Sequence, residues 1–208
     1  MTDKLLVLAP RLLFAVAAGT LVAGIVRHAF AQPAAAGLLA AYLGWLLLEA
    51  PVTFRRAAAA PADARTLLPY ALARIMLIAS ASLAPPPWDG WSPWLLVPAA
   101  VFASGVALRQ AAIRALGRFY SHHVMRQDGH RVVTGGLYGI VRHPAYAGML
   151  LANAGFACLF LNPAGAAALV LLAAAVAWRI RVEERALRDV PGYARYAAGR
   201  PRLLPGVW

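Results

Sequence analysis

Acidic residues and cysteine are what this chain has least of. Its 208 residues hold 8 Asp and Glu against 20 Lys and Arg, with a single cysteine. A lone Cys158 excludes an intramolecular disulfide and a thiolate metal cluster. Charged residues of both signs make up only 13%, where ordinary soluble domains carry about 25%. Hydrophobic residues reach 62%. That composition excludes a disordered chain and a nucleic-acid-binding domain built from exposed basic helices. It also leaves too little polar surface to cover a soluble globule. What remains is one integral membrane domain, with the net charge of +12 on loops that face an anionic leaflet.

Charge-free tracts run over residues 12–26, 28–48, 90–108 and 143–178, and residues 67–84 are interrupted only by Arg74. Lys4 and Arg11 imitate the basic start of a secretory signal, yet equally apolar segments follow, so a first membrane span is expected. The longest tract carries Asn162-Pro163 at its middle. Proline starts helices well and continues them badly, which predicts two short helices joined there as a hairpin. The expected architecture is therefore all-α, an integral membrane bundle of five to six helices. Five full spans with one broken or re-entrant helix is the main alternative. With alternating spans, 18 of the 20 basic residues fall on one side, leaving Arg27 opposite and Arg74 within a span. The positive-inside rule makes the rich side cytoplasmic. The expected division is residues 1–108 as an N-terminal, substrate-facing bundle and 109–208 as the chemistry-bearing core. Arg74 and Glu49 are expected to snorkel at helix ends rather than to line a path, and only residues 109–142 and 179–208 are expected to hold a polar site.

The first of these stretches runs from His130 through Gly135-Gly136 and Tyr138 to Arg142-His143-Pro144, Tyr146 and Gly148. The paired glycines permit positive φ or close backbone approach. Pro144 sits where a first helical turn begins, and that turn offers unpaired N–H groups to an anion. A belt of aromatic and basic membrane anchors, with His143 as a simple cap, is the plainer account on composition alone. His122-His123 lacks carboxylate or thiolate neighbours, so no metal site is expected. The second stretch opens Arg179, Arg181, Glu183-Glu184 and Arg185, and it continues through Tyr193 and Tyr196 to Pro201 and Pro205. A continuing helix puts Arg179 and Glu183 on one face and Glu184 with Arg188 on the next, the latter pair expected as a solvated salt bridge.

Together the two stretches resemble the isoprenylcysteine carboxyl methyltransferase family of integral membrane enzymes. That family pairs His-x-Leu-Val-x-x-Gly-x-Tyr-x-x-x-Arg-His-Pro-x-Tyr-x-Gly with a later Arg, Glu-Glu, Tyr-x-x-Tyr and proline tail. The chain follows the first pattern without a gap from His130 to Gly148, with Val132 in place of leucine, and the second from Arg179 to Pro205. The resemblance implies an S-adenosyl-L-methionine-dependent methyltransferase, a protein-S-isoprenylcysteine O-methyltransferase-like enzyme with no soluble Rossmann domain. It also implies that His130, Arg131, Val132, Val133, Tyr138, His143, Pro144, Ala145 and Tyr146 hold the cofactor. Glu183 would meet the methionine ammonium, with Glu184 able to exchange roles, and Arg179 would meet the substrate carboxylate. Arg179 and Glu183 are accordingly the expected catalytic pair.

The residue types suit that chemistry. Transfer from a sulfonium to a carboxylate neutralises charge, so a dry site favours it once both ions are oriented. A carboxylate is already ionised at neutral pH and needs no general base. The expected acceptor is an isoprenylcysteine-like or other lipophilic acid entering from the bilayer, with membrane lipids as partners and no nucleic acid. Ala- and Arg-heavy usage points to a high-GC bacterial gene and an inner-membrane protein whose site faces the cytoplasm. Three other readings stand beside this one: a phospholipid amine N-methyltransferase, an NADPH-dependent membrane sterol-type reductase, and a non-enzymatic scaffold or channel subunit.

Overall fold

A computed structural model describes residues 3–54, 64–117, 133–206 and 208 of the chain. Among the described residues there are helices and no strands. The long elements are α1 (Asp3–His28), α2 (Pro33–Thr53), α3 (Ala64–Leu83) and α4 (Leu96–Leu116), the last entered through a 3₁₀ turn at Pro93–Leu95. A one-turn helix α5 (Leu137–Ile140) precedes α6 (Pro144–Leu159), α7 (Pro163–Leu187) and the short α8 (Tyr193–Ala198). Five helices, α1 to α4 and α7, are long and apolar enough to cross a membrane. Helix α6 has 16 residues, about 24 Å of helix against a hydrocarbon core of about 30 Å. The chain is an all-α integral membrane bundle, with five helices of spanning length and this shorter apolar helix among the described residues.

The break in the longest apolar tract falls where the sequence puts it. Asn162 caps α7 by accepting from the Gly165 amide at 2.8 Å, and Pro163 occupies the first helical turn. The two helices are joined there and touch, as the hairpin reading expects, but they are unequal and each packs mainly on another helix. Helix α7 continues 25 residues to Leu187 and packs on α3, while α6 packs on α4. A proline turn fixes only a connection; the partner of each helix is set by its surface. Helices α4 and α6 run antiparallel, as do α3 and α7, and the end of the bundle away from Arg179 is tied by three contacts. His28 Nε2 lies 3.2 Å from the Ser82 carbonyl, Trp88 Nε1 donates to the Leu159 carbonyl at 2.7 Å, and Asn162 Nδ2 reaches the Ser80 carbonyl at 3.4 Å.

Glycine sets the surface of α6. A Cβ placed on Gly148 would strike the backbone of Arg109 and Gly105, and one on Gly155 would strike Phe102 and Pro98. From the other side, Gly105 faces the backbone of Ala152 and Gly148. The two helices thus touch backbone to backbone, the small-residue packing that replaces the hydrophobic drive within lipid. Tyr42, Phe102 and Phe156 fill the space beside this seam, with the Tyr42 and Phe156 rings 4.5 Å apart.

The bundle interior also holds a polar network that sequence reasoning places elsewhere. Glu49 is 1% exposed and Arg109 is 1% exposed, and Arg109 grips the Glu49 carboxylate through Nε and, at 2.9 Å, through Nη2. Trp45 Nε1 donates to the same carboxylate at 2.6 Å, and Arg74 Nη1 lies 3.8 Å from it. Arg74 Nε donates to the Tyr42 hydroxyl at 2.8 Å, which donates in turn to Asn153 Oδ1 at 2.7 Å. Glu49 and Arg74 therefore do not snorkel. They turn inward because a fixed counter-ion in the bundle competes with the walk to the membrane surface.

Replacing Gly148 or Gly105 by alanine forces the α4 and α6 backbones apart, and a loss of about 1–3 kcal/mol is expected for each. The same change at Gly37, which faces open space on α2, is expected to be neutral or to gain roughly 0.5–1 kcal/mol from helix propensity. Thermal unfolding of the detergent-purified variants measures both, and equal losses at all three positions would contradict the seam.

Candidate active site

The motif between α4 and α6 folds as a strap closed by the C-terminal tail. Gly136 adopts φ +57, a region costly for any residue with a Cβ, and starts α5; Val141 then returns the chain to extended backbone. Arg142 and His143 then donate their amides to the carbonyls of Pro201 and Arg202, both at 2.9 Å. The tail is fastened further along its length. Tyr196 donates its hydroxyl to the Tyr138 carbonyl at 2.9 Å, Arg200 Nε donates to the Gly139 carbonyl at 3.1 Å, and Arg142 Nε donates to the Arg200 carbonyl at 2.7 Å. Burial pushes the Tyr193 and Tyr196 phenols up from their ordinary value, so both remain neutral hydroxyls at physiological pH.

Glu184 is the centre of this fastening. Its carboxylate accepts from Arg142 Nη1 at 2.8 Å and from Arg202 Nε at 2.9 Å, with His143 Nε2 3.3 Å away. The expected surface pair with Arg188 is not formed: Glu184 is buried, while Arg188 is exposed and caps the end of α7. One flexible neighbour on the same helix loses to groups that the strap and tail deliver already oriented. Charge-assisted bonds of this kind are about twice as strong as neutral ones.

Glu183 has a different environment. Its Oε2 accepts from the Tyr146 hydroxyl at 3.0 Å, and its other oxygen has no partner among the described residues. Tyr146 also accepts from Arg179 Nε at 3.2 Å, so its hydroxyl stands between a guanidinium and a carboxylate. Arg179 Nη1 donates to Thr66 Oγ1 at 3.2 Å, and its guanidinium lies 5.6 Å from the centre of the Tyr70 ring. Arg179 and Glu183 do share one face of α7, as their spacing requires. Helices α3, α6 and α7 each contribute to this row.

The remaining candidates divide. His143 caps α6 with Pro144 in the first turn, as the sequence suggests, and its ring is also drawn to Glu184. The Ala145 carbonyl accepts from Arg109 Nη1 at 3.1 Å. Tyr138 packs instead in a separate cluster with Ala112, Ile113 and Ala145, against which Val133 lies partly buried. His130, Arg131 and Val132 lie outside the described residues, as do His122 and His123. Thr66, Arg142 and Arg202 escaped the sequence reading as members of these two clusters. Thr66, Tyr70 and Arg74 are spaced by four, a polar stripe on α3 that was open to notice. Arg142 stands in the quoted motif, beside the histidine.

The row sets a guanidinium beside a carboxylate whose second oxygen has no partner among the described residues, groups of the kind that pair with a ligand's carboxylate and amine. Residues 96–189 match the isoprenylcysteine carboxyl methyltransferase family. The chain is similar to protein-S-isoprenylcysteine O-methyltransferase B of Arabidopsis thaliana, 37% identical over 112 residues that cover 50% of this chain and 55% of the plant protein. Protein-S-isoprenylcysteine O-methyltransferase A of the same plant is 36% identical over the same shares. A probable protein-S-isoprenylcysteine O-methyltransferase of Oryza sativa subsp. indica is 33% identical over 50% of this chain and 56% of its own. The chain spans about half the length of the curated relatives it matches, and the matches favour neither an amine methyltransferase nor a reductase. The likeness to the isoprenylcysteine carboxyl methyltransferase family thus covers α4 to the end of α7, the part of the chain that carries the Arg179, Tyr146, Glu183 row.

Proposed function

We propose that this chain is a membrane methyltransferase that esterifies the carboxylate of an isoprenylcysteine-like or other lipophilic acid, with S-adenosyl-L-methionine as methyl donor. The observation that carries the reading is the row Arg179, Tyr146, Glu183, in which one hydroxyl separates a cationic fork from a carboxylate with an oxygen to spare. That donor set suits the cofactor: a free carboxylate oxygen pairs with an ammonium, and nothing else among the described residues competes for it. When bound, S-adenosyl-L-methionine supplies a methyl group on a positively charged sulfur. Glu183 holds the amine end, and Arg179 orients the acceptor carboxylate and keeps it ionised. Tyr146 fixes the distance between the two, and the apolar helices exclude water, so that charge neutralisation is not opposed by hydration. Val133, Tyr138, His143, Pro144 and Ala145, with His130, Arg131 and Val132, form the rest of the cofactor's surroundings. In this reading the arginine-rich end faces the cytoplasm of a bacterial inner membrane, while the lipophilic acid enters sideways from the bilayer.

Radiolabelled methyl transfer onto an isoprenylated cysteine analogue and onto membrane extracts tests the reaction. A base-labile product is expected, and a base-stable one would overturn the ester. Calorimetric titration should show binding of S-adenosylhomocysteine and none of NADPH; the reverse would sink the methyltransferase reading.

Variants separate the three charged groups. Glu183→Gln is expected to weaken S-adenosylhomocysteine roughly 10- to 100-fold with little change in KM for the acid, since a charge-assisted bond contributes about 1.5–3 kcal/mol. Arg179→Ala should do the opposite, and equal damage to both affinities in both variants would contradict the assignment. Glu184→Gln is a stability change in this reading. It should lower Tm and speed tryptic cleavage after Arg195 and Arg202, because Arg142 and Arg202 lose their shared counter-ion.

A further inference from the structure

Arg109 joins the interior of the bundle to the first turn of α6. Its Nε and Nη2 together grip the Glu49 carboxylate on α2, and its Nη1 donates to the Ala145 carbonyl at 3.1 Å. A guanidinium is planar, so the two-bond grip on Glu49 also sets the direction in which Nη1 points. The accepting carbonyl belongs to the peptide that leads into Tyr146, whose hydroxyl stands between Arg179 and Glu183. Contacts therefore run from α2 through α4 to the middle of the candidate site.

Glu49 is the fixed end of this series. Trp45 Nε1 and Gln110 Nε2 also donate to its Oε1, at 2.6 Å and 3.4 Å, so the carboxylate is held from both α2 and α4. Arg109 has a competing position to occupy. It lies about two turns before α4 ends at Leu116, within reach of the helix end for a long side chain. With its counter-ion gone, a buried guanidinium gains by turning toward water, and the bond to Ala145 goes with it. We infer that Glu49 is a positioning residue of the candidate site: through Arg109 it fixes the peptide ahead of Tyr146 and so keeps the Tyr146 hydroxyl between Arg179 and Glu183. Glu49 lies outside residues 96–189, which match the methyltransferase family, so the N-terminal half supplies part of the site's geometry. The effect on rate rests on the proposed reaction, whereas the placement of Tyr146 does not.

The first readout uses the full chain in neutral detergent, without cofactor or acceptor, isotopically labelled at tyrosine Cζ for magnetic resonance. Loss of one signal in Tyr146→Phe identifies the Tyr146 resonance. Arg109→Lys keeps a positive charge for Glu49 but replaces the planar fork by a point charge on a flexible stem. Both Arg109→Lys and Glu49→Gln are expected to shift the Tyr146 resonance. Tyr42→Phe, which removes the neighbouring bonds to Arg74 and Asn153, should lower Tm and leave that resonance in place. The second readout is methyl transfer to the isoprenylated cysteine analogue. Arg109→Lys should lower kcat roughly 10- to 100-fold, the effect of a misplacement of about 1 Å, with KM for the acid and affinity for S-adenosylhomocysteine held within about threefold. Combined with Tyr146→Phe it should lower activity no further, because Arg109 acts through that hydroxyl. A Tyr146 resonance unmoved by Arg109→Lys would overturn the inference, as would losses that multiply in the double variant. Should Glu49→Gln fail to fold, Trp45→Phe, which loosens the carboxylate without removing it, takes its place and must move the same resonance. Absence of methyl transfer by the unaltered protein counts against the proposed reaction alone, and the resonance then decides the placement.

Discussion

Helices α4 and α6 meet with no side chains between them, and much of the bundle depends on that contact. Gly148 lies against the backbone of Arg109, so the motif that begins α6 is held at a fixed height on α4. At that height Arg109 reaches both the Ala145 carbonyl of α6 and the Glu49 carboxylate of α2. One residue thereby ties together three helices from both halves of the chain. The seam also turns Tyr146, two residues before Gly148, toward α7, where Arg179 and Glu183 stand. A bulkier seam would move the hydroxyl away from both. Glycine here is a positional requirement on chemistry as much as on packing.

The scarcity of acid gives two carboxylates in the described bundle more than one cation each to serve. Glu49 answers Arg109 and Arg74, and Glu184 answers Arg142 and Arg202. Removing Glu49 would strand two buried guanidiniums, and removing Glu184 two partly buried ones, which is costlier than breaking an isolated pair. The cost of a buried charge in lipid is met in both cases by sharing. The two clusters nonetheless do different work. The Glu49 cluster sits inside the bundle and joins helices, whereas the Glu184 cluster sits at the mouth and binds the tail to the strap. Glu183 stands between them with one oxygen uncommitted.

What the sequence revealed was whatever depends on near neighbours. Helix ends follow from Pro144, Asn162 and Pro163, since capping and proline geometry act within one turn. The shared face of Arg179 and Glu183 follows from helical periodicity. The spans follow from uncharged tracts, because lipid penalises each unpaired charge regardless of the partner helix. Long-range pairing was not legible. Glu49 meets Arg109 across 60 residues and Tyr42 meets Asn153 across 111, and no local pattern records which helices become neighbours. The general tendency of arginine to snorkel gives the wrong answer for Arg74 because it treats each helix alone. Glu184 and Arg188 fail for the same reason: a local pairing rule cannot count the cations that a distant tail brings.

Adjacent positions on a helix point about 100° apart, and that rotation explains why two identical neighbours have different fates. From one α7 backbone, Glu183 is directed to the side where α6 presents Tyr146, and Glu184 to the side where strap and tail present Arg142 and Arg202. The first side carries a hydroxyl already engaged with Arg179, so its carboxylate is oriented without being neutralised. The second carries two guanidiniums, so its carboxylate is consumed by structure. A pair of glutamates at the end of a membrane helix is thus divided in its contacts: one fastens the strap to the tail, while the other keeps an oxygen without a partner among the described residues, the oxygen that the proposed function assigns to a ligand.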